Sequence, residues 1–123
     1  MGRDKLYPVS KELVSNAEDL LLKVNDLITK FHIPYRGISS GYRPPIINAR
    51  IGGSRKSAHI TCQAVDLKDT KDQYIGKLLK SNPQFLREFG LYLEHPDYTQ
   101  AYNGAHWVHL QIRPTRNRVF IPY

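Results

Sequence analysis

The chain has 123 residues, 41% of them hydrophobic and 24% charged, and its eighteen Lys and Arg against eleven Asp and Glu give a formal net charge of +7. A chain this long buries roughly two-thirds of its unfolded surface in one core, which predicts a single domain over residues 1–123 and excludes two. No stretch approaches the roughly 18 apolar residues of a membrane span, and a single cysteine, Cys62, excludes an internal disulfide and a cysteine-based zinc site, so any metal must be held by His, Asp or Glu.

From Ser10 to Phe31, Leu13, Ala17, Leu20, Leu21, Val24, Leu27, Ile28 and Phe31 recur at the three-and-four spacing of one buried helix face, with Ser10 as N-cap and Ile33-Pro34 as the exit. His32 caps the C-terminal end of that helix. A second helix is predicted over Asp69 to Asn82, with Thr70 and Gln73 spaced as a capping box and Ile75, Leu78 and Leu79 facing inward. Asn82-Pro83 opens a short third helix that Gly90 closes. Val65 to Leu67, Leu91 to Leu93 and Val108 to Ile112 alternate apolar and polar residues and read as strands, with a last strand over Arg118 to Ile121. Two long polar connections, Ser39 to Ser57 and His95 to Ala105, lie between them, and connections of that length in a compact domain usually carry function. The fold class is α+β, with helices packed on one small antiparallel sheet.

Period two then assigns faces. With Val108, Leu110 and Ile112 in the core, Trp107, His109 and Gln111 face the other way. With Leu91 and Leu93 buried, Tyr92 and Glu94 do the same, and with Val65 and Leu67 buried so do Ala64 and Asp66. One His, one Glu and one Asp thus share one open surface. His59 precedes Asp66 by seven residues, an odd separation that puts the two on opposite faces of a straight strand, so the chain must bend near Thr61 to Gln63 for both to reach one ion. His, Asp and His form a sound N/O set for zinc, with a fourth position left for water, and Glu94 is then the natural base. The plainer readings stand beside this one. An isolated histidine is more often a surface or hydrogen-bonded residue than a ligand, Trp107 is equally a core residue, and Arg43 is equally a solvated turn residue.

Taken together these residues resemble a family. Ser57-Ala58-His59-Ile60-Thr61-Cys62-Gln63-Ala64-Val65-Asp66 is similar to the Ser-x-His-x-x-Gly-x-Ala-x-Asp pattern of the M15 zinc D-alanyl-D-alanine peptidases and their peptidoglycan endopeptidase relatives, phage endolysins included. Trp107-Val108-His109 resembles the closing Trp-x-His, and Ser40-Gly41-Tyr42-Arg43-Pro44-Pro45, Asn48 and Gly52-Gly53 resemble the upstream segment. The resemblance implies one zinc ion held by His59, Asp66 and His109 on the open face of the sheet, with Glu94 as base, Arg43 gripping a peptide carboxylate or carbonyl, and Ser57 and Trp107 at the substrate. Cys62 stands where the family has glycine, either because that position does not require positive φ or because the loop is altered. A thiol there is also a possible ligand. In several relatives the catalytic carboxylate lies three residues before the last histidine, where this chain has His106, so His106 is a second candidate for the base or for stabilising the oxyanion.

The expected activity is zinc-dependent hydrolysis of peptidoglycan stem peptides, with a lytic endopeptidase favoured over a D-alanyl-D-alanine carboxypeptidase. A non-catalytic module that binds metal or anionic polymer on the same fold is a further alternative. The basic charge suits an anionic cell-wall polymer, and nucleic acid is disfavoured because no recognised motif accompanies the Arg113, Arg116 and Arg118 cluster. Since the first twenty residues contain no secretory h-region, the expectation is synthesis in the cytoplasm and action at the wall after release.

Overall fold

The computed structural model describes residues 10–41 and 57–122, so Arg43 and most of the upstream motif lie outside the described residues. Helix α1 (Lys11–Lys30) is followed by β1 (Ile38–Ser40), β2 (Ala64–Lys68), α2 (Tyr74–Ser81), α3 (Pro83–Phe89), β3 (Tyr92–Glu94), a 3-10 turn at Pro96–Tyr98, β4 (Trp107–Gln111) and β5 (Val119–Phe120). The class is α+β, as the sequence predicts.

Ser10 starts α1 by accepting the Leu13 N–H on its Oγ at 3.2 Å. Leu20, Val24 and Leu27 form the buried stripe, whereas Leu21, expected in the core, is 50% exposed. It flanks that stripe by one 100° step, beyond the width of helix surface that the rest of the core covers. At the far end His32 takes a left-handed φ of 52°, the Ile33 N–H returns to the Ile28 carbonyl at 3.0 Å, and Pro34 prevents continuation. Phe31 stacks on Phe85 of α3 with ring centroids 3.7 Å apart, which fastens α1 to the middle of the chain.

The second helix starts later than expected, and the capping box is not formed. Gln73 has a φ of 56°, which turns its side chain away to donate to the Pro96 carbonyl at 2.7 Å. Asp69 takes over the cap. Its Oδ1 accepts from the Thr70 and Ile75 amides at 2.8 and 3.0 Å, and its Oδ2 accepts from Gly76 at 2.9 Å. A carboxylate serves better here because it satisfies two orphan helix amides at once and brings negative charge to the positive end of the helix dipole.

The strands lie in the order β1-β2-β4-β3-β5. All neighbours are antiparallel except β3 and β5, which run parallel with Leu93 opposite Val119 and Glu94 opposite Phe120. The wholly antiparallel sheet of the sequence reading is corrected at this edge. The chain reverses after β4, but β3 already occupies the place beside β4, so β5 lands outside β3 and travels in the same direction. Ser39 and Ser40, assigned from sequence to a polar connection, belong instead to β1, the edge strand on β2. On the inner face Val65, Leu67, Leu93, Val108 and Leu110 pack with Leu20, Val24, Leu27, Ile75, Leu79, Leu86 and Leu91. The helices cover this one face, which leaves the alternate residues of β2, β3 and β4 on the other.

Candidate active site

The open face is organised as rows across the strands. Ala64 and Tyr92 both pair with Gln111, Asp66 pairs with His109, and Lys68 pairs with Trp107. Continuing the Leu93 to Leu110 register by one residue brings Glu94 beside His109, so Asp66, His109 and Glu94 form the middle row. Directly opposed side chains on antiparallel strands have Cβ atoms about 5 Å apart, close enough for polar groups to act as a unit.

His59 enters this row from a separate turn. The Gln63 N–H bonds to the Ala58 carbonyl at 2.8 Å and the Cys62 N–H to the His59 carbonyl at 3.3 Å. This is the paired six-to-one and five-to-two pattern that ends helices, here closing a single turn. That pattern needs a left-handed residue at its penultimate position, and Cys62 supplies it with a φ of 56°. The turn is the bend that the odd spacing of His59 and Asp66 demands, and it explains physically why the pattern resembled above has glycine there. It is tied down from outside by Asn16 of α1, whose Nδ2 donates to the Thr61 carbonyl at 2.9 Å. Arg113 donates to Thr61 Oγ1 at 2.8 Å and to Gln63 Oε1 at 3.1 Å. Ser57 lies at its start and accepts the His59 N–H on its Oγ at 3.2 Å.

The three side chains meet closely. His109 Nδ1 is 2.9 Å from Asp66 Oδ1, and His59 Nε2 is 3.2 Å from Asp66 Oδ2. The imidazole rings stand edge to face with centroids 5.2 Å apart, and one potential ligand atom from each of the three residues lies within 4.8 Å of the others. His59 is 1% exposed and His109 8%.

The outer nitrogens fix the tautomers. His59 Nδ1 donates to the Gly41 carbonyl at 2.7 Å. His109 Nε2 donates to Gln111 Oε1 at 2.7 Å, and Gln111 Nε2 donates onward to the Arg113 carbonyl at 2.8 Å. These bonds turn the lone pairs of His59 Nε2 and His109 Nδ1 toward the Asp66 carboxylate. His59 Nε2 is buried and has no hydrogen-bond partner despite its closeness to Asp66, an arrangement that costs about 1–3 kcal/mol unless something else satisfies the atom. Two imidazole lone pairs and a carboxylate converging on one point are the donor set of a cation, with the outer bonds orienting each ring as metal sites require.

The electrostatics agree. Burial opposes the charge of Asp66, but the adjacent His109 and His59 imidazoles prevail and lower its pKa to about 2. Burial likewise opposes a charged His109, yet the hydrogen bond and charge of Asp66, aided by Gln111 and Glu94, raise its pKa. The site is built to hold positive charge between these groups.

A cleft of about 850 Å³ opens over the group, walled by Ser57, Glu94, Trp107, Gln111, Arg113 and residues 115–117 and 119–122. Phe120 of β5 meets the His109 ring edge-on with centroids 5.9 Å apart, so the parallel edge strand forms part of the wall.

Residues 7–110, most of the chain, match the family model described as Peptidase M15. The chain belongs to the M15 peptidases. No curated protein and no solved structure matches it significantly. Membership makes it a metallopeptidase acting on peptide substrates, and the His-Asp-His cluster is the place in this M15 domain that could hold the metal. No helix among the described residues is long and apolar enough to cross a membrane.

Of the residues singled out from this M15 sequence, the structure brings together His59, Asp66, His109 and Glu94, with Ser57 and Trp107 on the cleft wall. Arg43 lies outside the described residues. His106 does not join them: it lines a second cavity on the far side of Trp107. Sequence reasoning placed Gln111 on the correct face but gave it no role, since only the structure shows its amide holding the His109 ring. Arg113 and Arg118, grouped from sequence as a basic cluster, are both engaged. Arg113 braces the His59 turn, and Arg118 donates to the Leu91 carbonyl at 3.1 Å with its guanidinium 4.1 Å from the centre of the Tyr92 ring.

Cys62 supports a direct prediction. The thiol is buried, burial raises its pKa, and it is not part of the His-Asp-His group. Its left-handed backbone carries a Cβ penalty that glycine lacks. Cys62→Gly should therefore be tolerated, with relief of the left-handed backbone offsetting the lost burial of the thiol to within about 1 kcal/mol in thermal or denaturant unfolding, and should leave metal binding unchanged. Loss of bound metal from a folded Cys62→Gly chain would make the thiol a ligand after all.

Proposed function

We propose that this M15 domain is a zinc peptidase that hydrolyses peptide bonds in peptidoglycan stem peptides, as a lytic endopeptidase. The observation that carries the reading is the convergence of His59 Nε2, His109 Nδ1 and the Asp66 carboxylate, with Glu94 in the same cross-strand row beneath an open cleft. Three protein ligands of this kind are the catalytic pattern for zinc, since a structural site would complete its coordination with a fourth side chain.

A zinc ion held there would supply Lewis acidity to the scissile carbonyl and to the attacking water. Asp66 and the two histidines provide the negative charge and the lone pairs that hold it, and Gln111 and the Gly41 carbonyl keep both rings in the required tautomer. Glu94 takes the proton of the water as it attacks and returns it to the leaving amine, so one carboxylate acts first as base and then as acid. His106, beyond Trp107, stands outside this sequence of proton transfers. Ser57 and Trp107 line the path of the peptide, and Arg43 is proposed to hold its carboxylate or carbonyl by a guanidinium fork.

An endopeptidase is favoured because, among the described residues, the cleft is lined on both sides of the middle row, by Trp107 at one end and by Gln111 and Arg113 at the other, which suits a chain running through rather than one that ends. The net charge of +7 would favour retention on an anionic wall, where the protein is proposed to act. Zinc-reconstituted protein incubated with purified peptidoglycan should release stem-peptide fragments detectable by mass spectrometry. Release of free D-alanine alone would point to a carboxypeptidase, and no release of any product from accessible muropeptides would reject the peptidase reading on this substrate.

A further inference from the structure

A second cavity, of about 650 Å³, lies beyond Trp107 and shares that side chain with the metal cleft. Arg36, Lys68, Lys71 and His106 line it, with Ser39 and the turn at Asn103, Gly104 and Ala105. Its charge is one-sided. Asp69 is the one carboxylate on its wall among the described residues, and both oxygens of that group are engaged by the amides at the start of α2. None of Arg36, Lys68 and Lys71 forms an ion pair among the described residues. His106 Nδ1 is buried and lacks a hydrogen-bond partner, although most buried polar atoms find one. Three cations around one hollow, with a buried unsatisfied imidazole nitrogen in its wall, make a site for an anion.

The position of the hollow says what kind. Lys68 and Trp107 form the row next to Asp66 and His109, two residues along the strands and so about 7 Å away. An extended peptide advances about 3.3 Å per residue, so a substrate lying along the open face reaches this cavity with a group about two residues from the bond being cut.

Resting on the peptidase reading above, we propose that this cavity is a carboxylate subsite, which recognises an acidic group of the peptide about two residues from the scissile amide. Arg36, Lys68 and Lys71 supply the charge, and Trp107 forms the wall the peptide crosses. The carboxylate is preferred to a phosphate of a wall polymer because the cavity adjoins the peptide cleft, the two sharing Trp107.

The test uses the zinc-loaded Glu94→Gln chain, which should bind substrate without turning it over, and calorimetry with two muropeptides that differ only in whether the stem carboxylates are free or amidated. The free form should bind at least tenfold more tightly, and Lys68→Ala with Lys71→Ala should reduce that preference to within twofold. Both lysines are exposed, so the double variant should fold, which thermal melting checks. In parallel, the His106 imidazole and Trp107 indole NMR signals should move with the free form and not with the amidated one. Equal binding of the two muropeptides, or a preference that survives the double lysine substitution, would overturn the subsite while leaving the peptidase reading intact. Glycerol phosphate shifting the same signals and displacing no muropeptide would give the cavity to a wall polymer and overturn it as well. If neither muropeptide binds the Glu94→Gln chain and the parent chain cuts neither, the peptidase reading fails and takes the subsite with it.

Discussion

Glu94→Gln should lower kcat by about 10²–10⁴-fold, the range general acid-base catalysis supplies, while the protein still binds one metal ion and substrate. The amide is nearly the size of the carboxylate and preserves the strand, but it cannot take a proton from water. Glu94 follows Leu93 in a paired strand, with Phe120 of β5 as its neighbour, so its backbone position does not depend on its charge. It is also one of the groups that raise the pKa of His109, which places its field within the His-Asp-His group. Because the change removes a contribution made only at the reacting centre, kcat and kcat/KM should fall together with little change in KM. His106→Ala should instead act mainly on KM, since the side chain lines the neighbouring cavity. A larger loss of kcat in His106→Ala than in Glu94→Gln, with metal content equal in both, would transfer the role of base to His106.

Much of this arrangement was legible from periodicity, because β2 and β4 are regular strands whose large apolar residues share one face. Once Val65, Leu67, Val108 and Leu110 are recognised as core, Asp66 and His109 have no other face available, and antiparallel pairing makes them neighbours. His59 was legible only as a requirement. Its odd spacing demanded a bend, but the form of that bend, a single helical turn closed by a left-handed Cys62, depends on backbone bonds that no side-chain pattern encodes. The start of α2 misled for a related reason. Thr70 and Gln73 have capping-box spacing, yet Asp69 on the last turn before the helix takes the Ile75 and Gly76 amides, and Thr70 Oγ1 accepts that of Tyr74 rather than that of Gln73. Gln111 shows where one-dimensional reasoning stops: its face follows from parity, while its bond to His109 follows from rotamers set by Arg113 beyond the strand end. Leu21 and the parallel β5 depend on which neighbours happen to fill the adjacent space, and that is a property of the assembled core.

His59→Ala, Asp66→Ala and His109→Ala should each abolish stoichiometric metal binding and, with it, essentially all activity. Three protein ligands leave no redundancy, and each loss also breaks an outer contact: Gly41 for His59, Gln111 for His109, and both imidazoles for Asp66. Asp66→Ala should be the most severe for binding, because it removes the anion while leaving two imidazoles facing each other. The same geometry fixes the direction of the pH dependence. The raised pKa of His109 means that the metal-free site keeps a proton to higher pH than an ordinary histidine would. Metal must displace that proton, so affinity should fall as pH drops through this range and plateau above it. Removing the metal with a chelator should stop turnover yet leave the helical circular dichroism largely unchanged, because the core residues that carry α1, α2 and α3 lie on the opposite face of the sheet. Elemental analysis of the parent and the three variants after zinc reconstitution is the measurement: one zinc per parent chain and none in the variants is expected. Stoichiometric zinc retained by a folded His59→Ala, Asp66→Ala or His109→Ala protein would remove that residue from the site, and global unfolding of the parent by chelator would mark the metal as structural.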